Sequence, residues 1–190
     1  QSNDGQYQHQ MNIHNWLLGN RQRMNIQYLF HDGDIIDDEP NIQEWEQADA
    51  AYKKLDVAKF PYGVLAGNHD VGHLNGDYSN YTQYFGENRY LSNPWYGGSY
   101  KNNRGHYDLI SVDGIDFIML YMGWGIGDEE IQWMNDVLAQ YPERKAILNF
   151  HEYLLASGGL GEEPQRIYDE VVSKNENVCM VLSGHYHNAK

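Results

Sequence analysis

Four short segments place side chains able to bind a metal just after strand-like runs. They are Gly33-Asp34-Ile35-Ile36-Asp37, Gly67-Asn68-His69-Asp70, His151, and Gly184-His185-Tyr186-His187. One carboxylate, one amide and three imidazoles make a mixed N/O donor set that suits Mn, Fe, Zn or Co better than Ca. Paired ions about 3.5–4 Å apart need a shared ligand, and Asp34 can offer one oxygen to each. Asn68 adds a neutral amide oxygen. His185 and His187 are two apart, so on an extended segment both face one side. That pair reads either as two imidazoles reaching one metal cluster or as surface histidines on a turn. His69 with Asp70 beside it is a chemically reasonable general acid, because a neighbouring carboxylate favours the imidazolium form.

Other titratable residues near these segments have plainer readings. Asp37 either supports the metal ligands from behind or is a solvated acid in Asp37-Asp38-Glu39. His31, at a strand end, is expected to pack or to back up the ligands without binding metal. His14 and His106 fall on apolar-rich elements and read as packing residues. His73 is close enough to Asp70 to count as a further site candidate.

The elements that must position these groups alternate between helical and strand-like apolar patterns, which argues for an α/β fold. The spacing predicts a helix over 8–24, a strand over 26–30, a helix over about 41–58 and a strand over 62–66. Residues 72–105 show no sustained period and read as a long aromatic, glycine-rich loop. Two strands follow, 106–112 and 115–121, joined by the hairpin signal Asp113-Gly114. Asp128 reads as the N-cap of a helix carrying Ile131, Met134 and Leu138. A strand over 145–150, a helix over 164–174 and a strand over 178–182 complete the pattern. Each chemical segment then lies at the C-terminal end of a predicted strand, where ligands gather in α/β proteins.

The order and residue types of the four segments resemble the calcineurin-like metallophosphoesterase superfamily. The resemblance implies an α/β, two-sheet αββα sandwich and a two-metal centre that hydrolyses phosphate mono- or diesters by a metal-bound hydroxide. It implies one site formed by Asp34, Asn68, His151 and His185, and a second sharing Asp34 and taking His187. His69 would protonate the leaving alcohol, with Asp70 orienting its ring, and Asp37 would match the second acid of Gly-Asp-x-x-Asp. Asp32 departs from the family, which tends to carry an apolar residue there. Tyr84-Phe85-Gly86, Pro94-Trp95-Tyr96-Gly97-Gly98, Asp116-Phe117-Ile118 and Trp133 resemble a secreted bacterial subgroup found at cell walls and surfaces. The aromatic segment 78–100 would either bind a sugar or extended substrate or fold over the core.

The family's opening Asp-x-His or Asp-x-Gln motif after a first strand is not evident. Asp4-Gly5-Gln6 has suitable letters but no strand before it, and reads as coincidence. The expectation is a single partial domain over 1–190 lacking the first and last strands. It would hold one metal or none, with weak activity or none and exposed sheet edges inviting self-association.

The length of 190 residues suits one domain. A formal net charge of -14 argues against nucleic acid or anionic membranes as partners, since clustered Lys and Arg are missing. A small phosphate ester would then need the local positive field of bound cations. No run approaches the roughly 18 apolar residues of a membrane span. The single cysteine, Cys179, rules out an internal disulfide, and its apolar strand context predicts a buried, inert thiol. The rival reading is a non-catalytic cell-surface or glycan-binding module that keeps the fold.

Overall fold

A computed structural model describes residues 6–73 and 76–186. Helix α1 (Gln6–Asn20) leads to strand β1 (Leu29–His31), helix α2 (Ile42–Val57) and strand β2 (Tyr62–Val64). Short helix α3 (Ser79–Phe85) precedes strands β3 (Tyr96–Tyr100), β4 (Gly105–Val112) and β5 (Ile115–Met122). Helix α4 (Asp128–Gln140), strand β6 (Lys145–Phe150), helix α5 (Glu162–Glu170) and strand β7 (Val178–Ser183) follow.

The strands form two sheets. β1 and β2 pair in parallel, and the second sheet has the order β3-β4-β5-β6-β7. Its β3-β4-β5 half is antiparallel, whereas β5-β6-β7 is parallel, each parallel step returning through a helix. The period-two alternation of β5 explains the layering. Ile118, Leu120 and Met122 pack with Met134, Leu138 and Ile167 of α4 and α5. The intervening Met119 and Tyr121 pack with Leu65, Tyr28 and Phe30 between the sheets. A third apolar cluster joins Trp45, Tyr52 and Leu55 of α2 to β2 and to Tyr81 and Phe85 of α3. The result is the two-sheet, helix-flanked arrangement expected from the sequence.

Several local expectations need correction. Residues 72–105 are not one loop, since they contain α3, a 3-10 turn at Glu87–Arg89 and β3. Tyr81 and Phe85, four apart on α3, are fully buried, and Tyr90 is nearly so. The period was unreadable because α3 has only two turns and β3 is Tyr-Gly-Gly-Ser-Tyr, which has little strand propensity. A Cβ at Gly97 would lie 2.2 Å from the Tyr107 ring, so this strand lacks side chains where that ring covers it. Helix α1 stops at Asn20, before Arg21 and Arg23, and the chain turns through Asn25 at φ 54. Asp128 is the first residue of α4 and not its cap; Glu130 caps the helix by accepting the Gly127 N–H at 3.0 Å.

Cys179 is exposed, contrary to the expectation of a core thiol. Its strand is the outer edge of the five-stranded sheet, and its neighbour Met180 is also exposed. The Asp113-Gly114 hairpin is as expected, with both residues at positive φ (50 and 81). His14 and His106 are buried packing residues: His14 meets Tyr52 edge-on at 4.8 Å, and His106 stacks on Tyr121 at 4.4 Å. Among the described residues, no helix is long and apolar enough to cross a membrane.

Candidate metal centre

The C-terminal ends of β1, β2, β6 and β7 meet at one edge, and the candidate ligands follow each end within four residues. Asp34 comes after β1, Asn68 after β2, His151 directly after β6 and His185 after β7. Their donor atoms converge on Nε2 of His151. Asn68 Oδ1 lies 3.0 Å from it, His185 Nδ1 3.1 Å and Asp34 Oδ2 3.3 Å. Among the described residues, Asp34, His151 and His185 form the group of ionisable ligands with donors within 4.8 Å of one another.

Tight backbone geometry makes the convergence feasible. Gly33 (φ 93) and Asp34 (φ 53) both take the left-handed conformation, which turns the chain sharply after β1. A Cβ on Gly33 would stand 2.4 Å from Nδ1 of His151, and one on Gly67 would stand 2.2 Å from Oδ1 of Asp34. His185 also has positive φ, 65, which turns its ring toward His151.

The supporting contacts divide the work among backbone and side chains. The carbonyl of Asp32 accepts from Nδ1 of His151 at 2.6 Å, leaving the Nε2 lone pair for the cluster. Burial works against a proton on His151, but the Asp34 carboxylate outweighs it and raises the imidazole above its usual range. Burial likewise opposes ionisation of Asp34, yet His151 and the His69 N–H hold that carboxyl below its usual range. The Asp32 side chain itself is pushed up to about 6 by burial.

Asp70 is fully buried and accepts the backbone N–H groups of Gly67 at 2.8 Å and Ile36 at 3.0 Å. It thereby ties the Asn68 loop to the Asp34 loop, although burial still lifts its carboxyl to about 6. It does not orient the His69 ring, as the sequence suggested. Adjacent residues on a 3-10 turn point in different directions, and Asp70 points inward. Nδ1 of His69 instead meets the Asp37 carbonyl at 2.7 Å, with the Asp37 carboxylate at 3.4 Å. Asp37 thus stands behind His69, while the buried Glu44 accepts the N–H groups of Asp37 and Asp38 at 2.8 and 3.0 Å.

His31 lies beneath the cluster, edge-on to Tyr52 at 6.0 Å, and burial lowers its imidazole to about 4. It packs there and does not join the donor group. His187 and Asp4 lie outside the described residues. Trp124, not singled out from the sequence, faces His151 at 5.8 Å and His185 at 5.4 Å. It lies two residues past β5, at the same edge as the candidate ligands.

These groups fit a divalent cation. Donors about 2.0–2.2 Å from a common ion stand roughly 3–3.5 Å apart in tetrahedral or octahedral arrangements, and the spacings at His151 Nε2 fall in that range. The His/Asp/Asn chemistry favours first-row transition ions.

Comparison with known proteins settles the family. The family model described as calcineurin-like phosphoesterase matches residues 3–189. The chain belongs to the calcineurin-like phosphoesterase family. A protein of Bacillus subtilis (strain 168), named "Uncharacterized protein YvnB", is 58% identical over 174 residues. That match covers 92% of this chain and 14% of the relative, so the chain spans about one seventh of that protein's length. Membership of the calcineurin-like phosphoesterase family carries metal-dependent phosphoester hydrolysis as the family's chemistry, and among the described residues the cluster around His151 has donors for it.

Proposed function

We propose that this chain hydrolyses small phosphate mono- or diesters at the cluster formed by Asp34, Asn68, His151 and His185. The observation that carries the proposal is the meeting of three donor atoms within 3.3 Å of His151 Nε2. A divalent cation bound there supplies positive charge for the phosphate oxygens and acidifies water to serve as nucleophile at neutral pH. We infer one cation of the Mn, Fe or Zn type at these four residues; a second would share Asp34 and take His187.

The chain's own residues supply the rest. His69 presents its ring at the rim of the site, half-exposed, with Nδ1 engaged by the Asp37 carbonyl. Its Nε2 is therefore the atom that donates a proton to the departing oxygen. Asp70 keeps His69 in place indirectly, through the Gly67 and Ile36 N–H groups. An extracellular or cell-surface location belongs to the proposal too, resting on the likeness of segments 84–86 and 94–98 to secreted bacterial members.

The rival glycan-binding module drew on the aromatic segment 78–100. Tyr81, Phe85 and Tyr90 of that segment are buried in the core, which removes those rings from any sugar site. The deciding assay is hydrolysis of p-nitrophenyl phosphate and bis-p-nitrophenyl phosphate with added Mn2+. Turnover of either that Asn68→Ala abolishes supports the proposal; turnover of neither, together with glycan binding, favours the module.

A further inference from the structure

The Asn68 side chain can ligate a cation only through its oxygen, yet the amide is nearly symmetric in shape. Something must decide which end faces the cluster. Oδ1 points inward, 3.0 Å from His151 Nε2, and Nδ2 points outward to Nδ1 of His73 at 2.8 Å. An amide nitrogen is donor only, so His73 Nδ1 must be the acceptor and its proton sits on Nε2. Reversing the amide would aim an NH2 group at the donors of Asp34, His151 and His185, where it could bind no cation.

The backbone is shaped to bring His73 back onto Asn68. Gly72 (φ 66) and His73 (φ 53) are two successive left-handed residues after the 3-10 turn His69–Val71. That conformation is uncommon for a non-glycine residue. It lets the His73 N–H reach the Asn68 carbonyl at 2.7 Å, so His73 grips both the main chain and the side chain of Asn68. The His73 ring also meets the His69 ring edge-on at 4.6 Å. No other sequence segment offers this contact to the Asn68 amide nitrogen among the bonds of the described residues.

We propose that His73 is a positioning residue that fixes the Asn68 amide with its oxygen toward the cation. The inference rests on Asn68 being a ligand, as proposed above. Residues that orient metal ligands in this way commonly change metal affinity ten- to a hundredfold when removed.

The test is Mn2+ titration of the chain by isothermal calorimetry, with thermal unfolding followed in parallel. His73→Gly keeps the left-handed backbone accessible and removes the acceptor; it is expected to weaken Mn2+ binding about tenfold or more without lowering Tm. His73→Asn also tolerates positive φ and places an acceptor at the same position as Nδ1, so it is expected to bind close to the parent level. Asn68→Ala should weaken binding as much as the Asn68→Ala/His73→Gly pair. Parent-like affinity in His73→Gly alongside weakened Asn68→Ala overturns the role of His73 and leaves the ligand reading standing. Parent-like affinity in both overturns both. Equal loss in His73→Gly and His73→Asn also overturns the acceptor role.

Discussion

His151 is anchored by the main chain of Asp32: the carbonyl oxygen sits 2.6 Å from Nδ1, across 119 residues of sequence. The bond fixes the ring's tautomer and leaves Nε2 facing Asp34, Asn68 and His185. It also gives position 32 a function independent of its side chain. The carboxylate of Asp32 has one oxygen buried without a hydrogen-bond partner, and the burial that raises its carboxyl outweighs the opposing pull of His151.

His69→Asn should separate chemistry from metal binding. Among the described residues its ring bonds to the Asp37 carbonyl and to no cluster donor, whereas its backbone N–H reaches Asp34 Oδ1 at 3.2 Å and survives the change. Loss of a positioned general acid costs on the order of a hundredfold or more in rate. The expected outcome is a kcat lower by about that factor, with Mn2+ content by elemental analysis unchanged. Loss of metal along with rate would show that His69 acts structurally.

Gly67→Ala should do the opposite. Its Cβ would stand 2.2 Å from Asp34 Oδ1, 2.6 Å from the Asp34 backbone nitrogen and 2.8 Å from Cε1 of His151, so Asp34 must shift, main chain included. Metal affinity is expected to fall at least tenfold, as when a ligand's supporting contacts are disturbed. Circular dichroism should remain that of the parent, because the contact is local to the site.

The parts of this arrangement that were legible in the sequence are those with a strong local signal. Long apolar strands such as 115–121 and 145–150, and the Asp113-Gly114 turn, are readable from period and turn chemistry. Asp34, Asn68, His151 and His185 stood out as candidates because each follows a strand-like run, although β1 and β2 are only three residues long. Contacts that depend on which way a side chain points were not. Nothing in His69-Asp70 tells that Asp70 turns inward to the Gly67 and Ile36 N–H groups while Asp37 meets the ring. Cys179 read as buried because an apolar run looks the same in a central strand and at a sheet edge. Trp124 and the amide contact of His73 depend on tertiary turns that local pattern does not encode.

Glu44→Ala should loosen the loop that carries Asp34 and Asp37. The carboxylate accepts from the backbone of Asp37 and Asp38 and from Nδ2 of Asn41 at 3.1 Å, all from a nearly fully buried position. Removing a buried acceptor leaves its donors unpaired at a cost of about 1–3 kcal/mol. Urea denaturation should show a loss of that size with an unchanged m-value. Glu44→Gln, which retains one accepting oxygen, should fall between the two.

Asp108 sets a pH dependence of stability remote from the metal cluster. It lies between the sheets, buried, and accepts from the Tyr28 hydroxyl at 2.5 Å; its other oxygen has no partner. Tyr28, Tyr96, Tyr121 and His106 are the titratable groups around it on the packed strands, and burial keeps the three phenols protonated and His106 neutral down to about 3. Burial pushes the Asp108 carboxyl from 3.8 up to about 8. Between those values the folded chain holds a proton that the unfolded chain has released. Raising pH through that window therefore favours unfolding, and the effect levels off above about 8. Each unit of separation is worth about 1.4 kcal/mol, so the slope should be readily measured by urea denaturation at a series of pH values. Asp108→Asn keeps an acceptor for Tyr28 and cannot ionise, so its stability should decline less from pH 5 to pH 8. A parent and variant with parallel profiles over that range would show that Asp108 is already ionised in the folded chain.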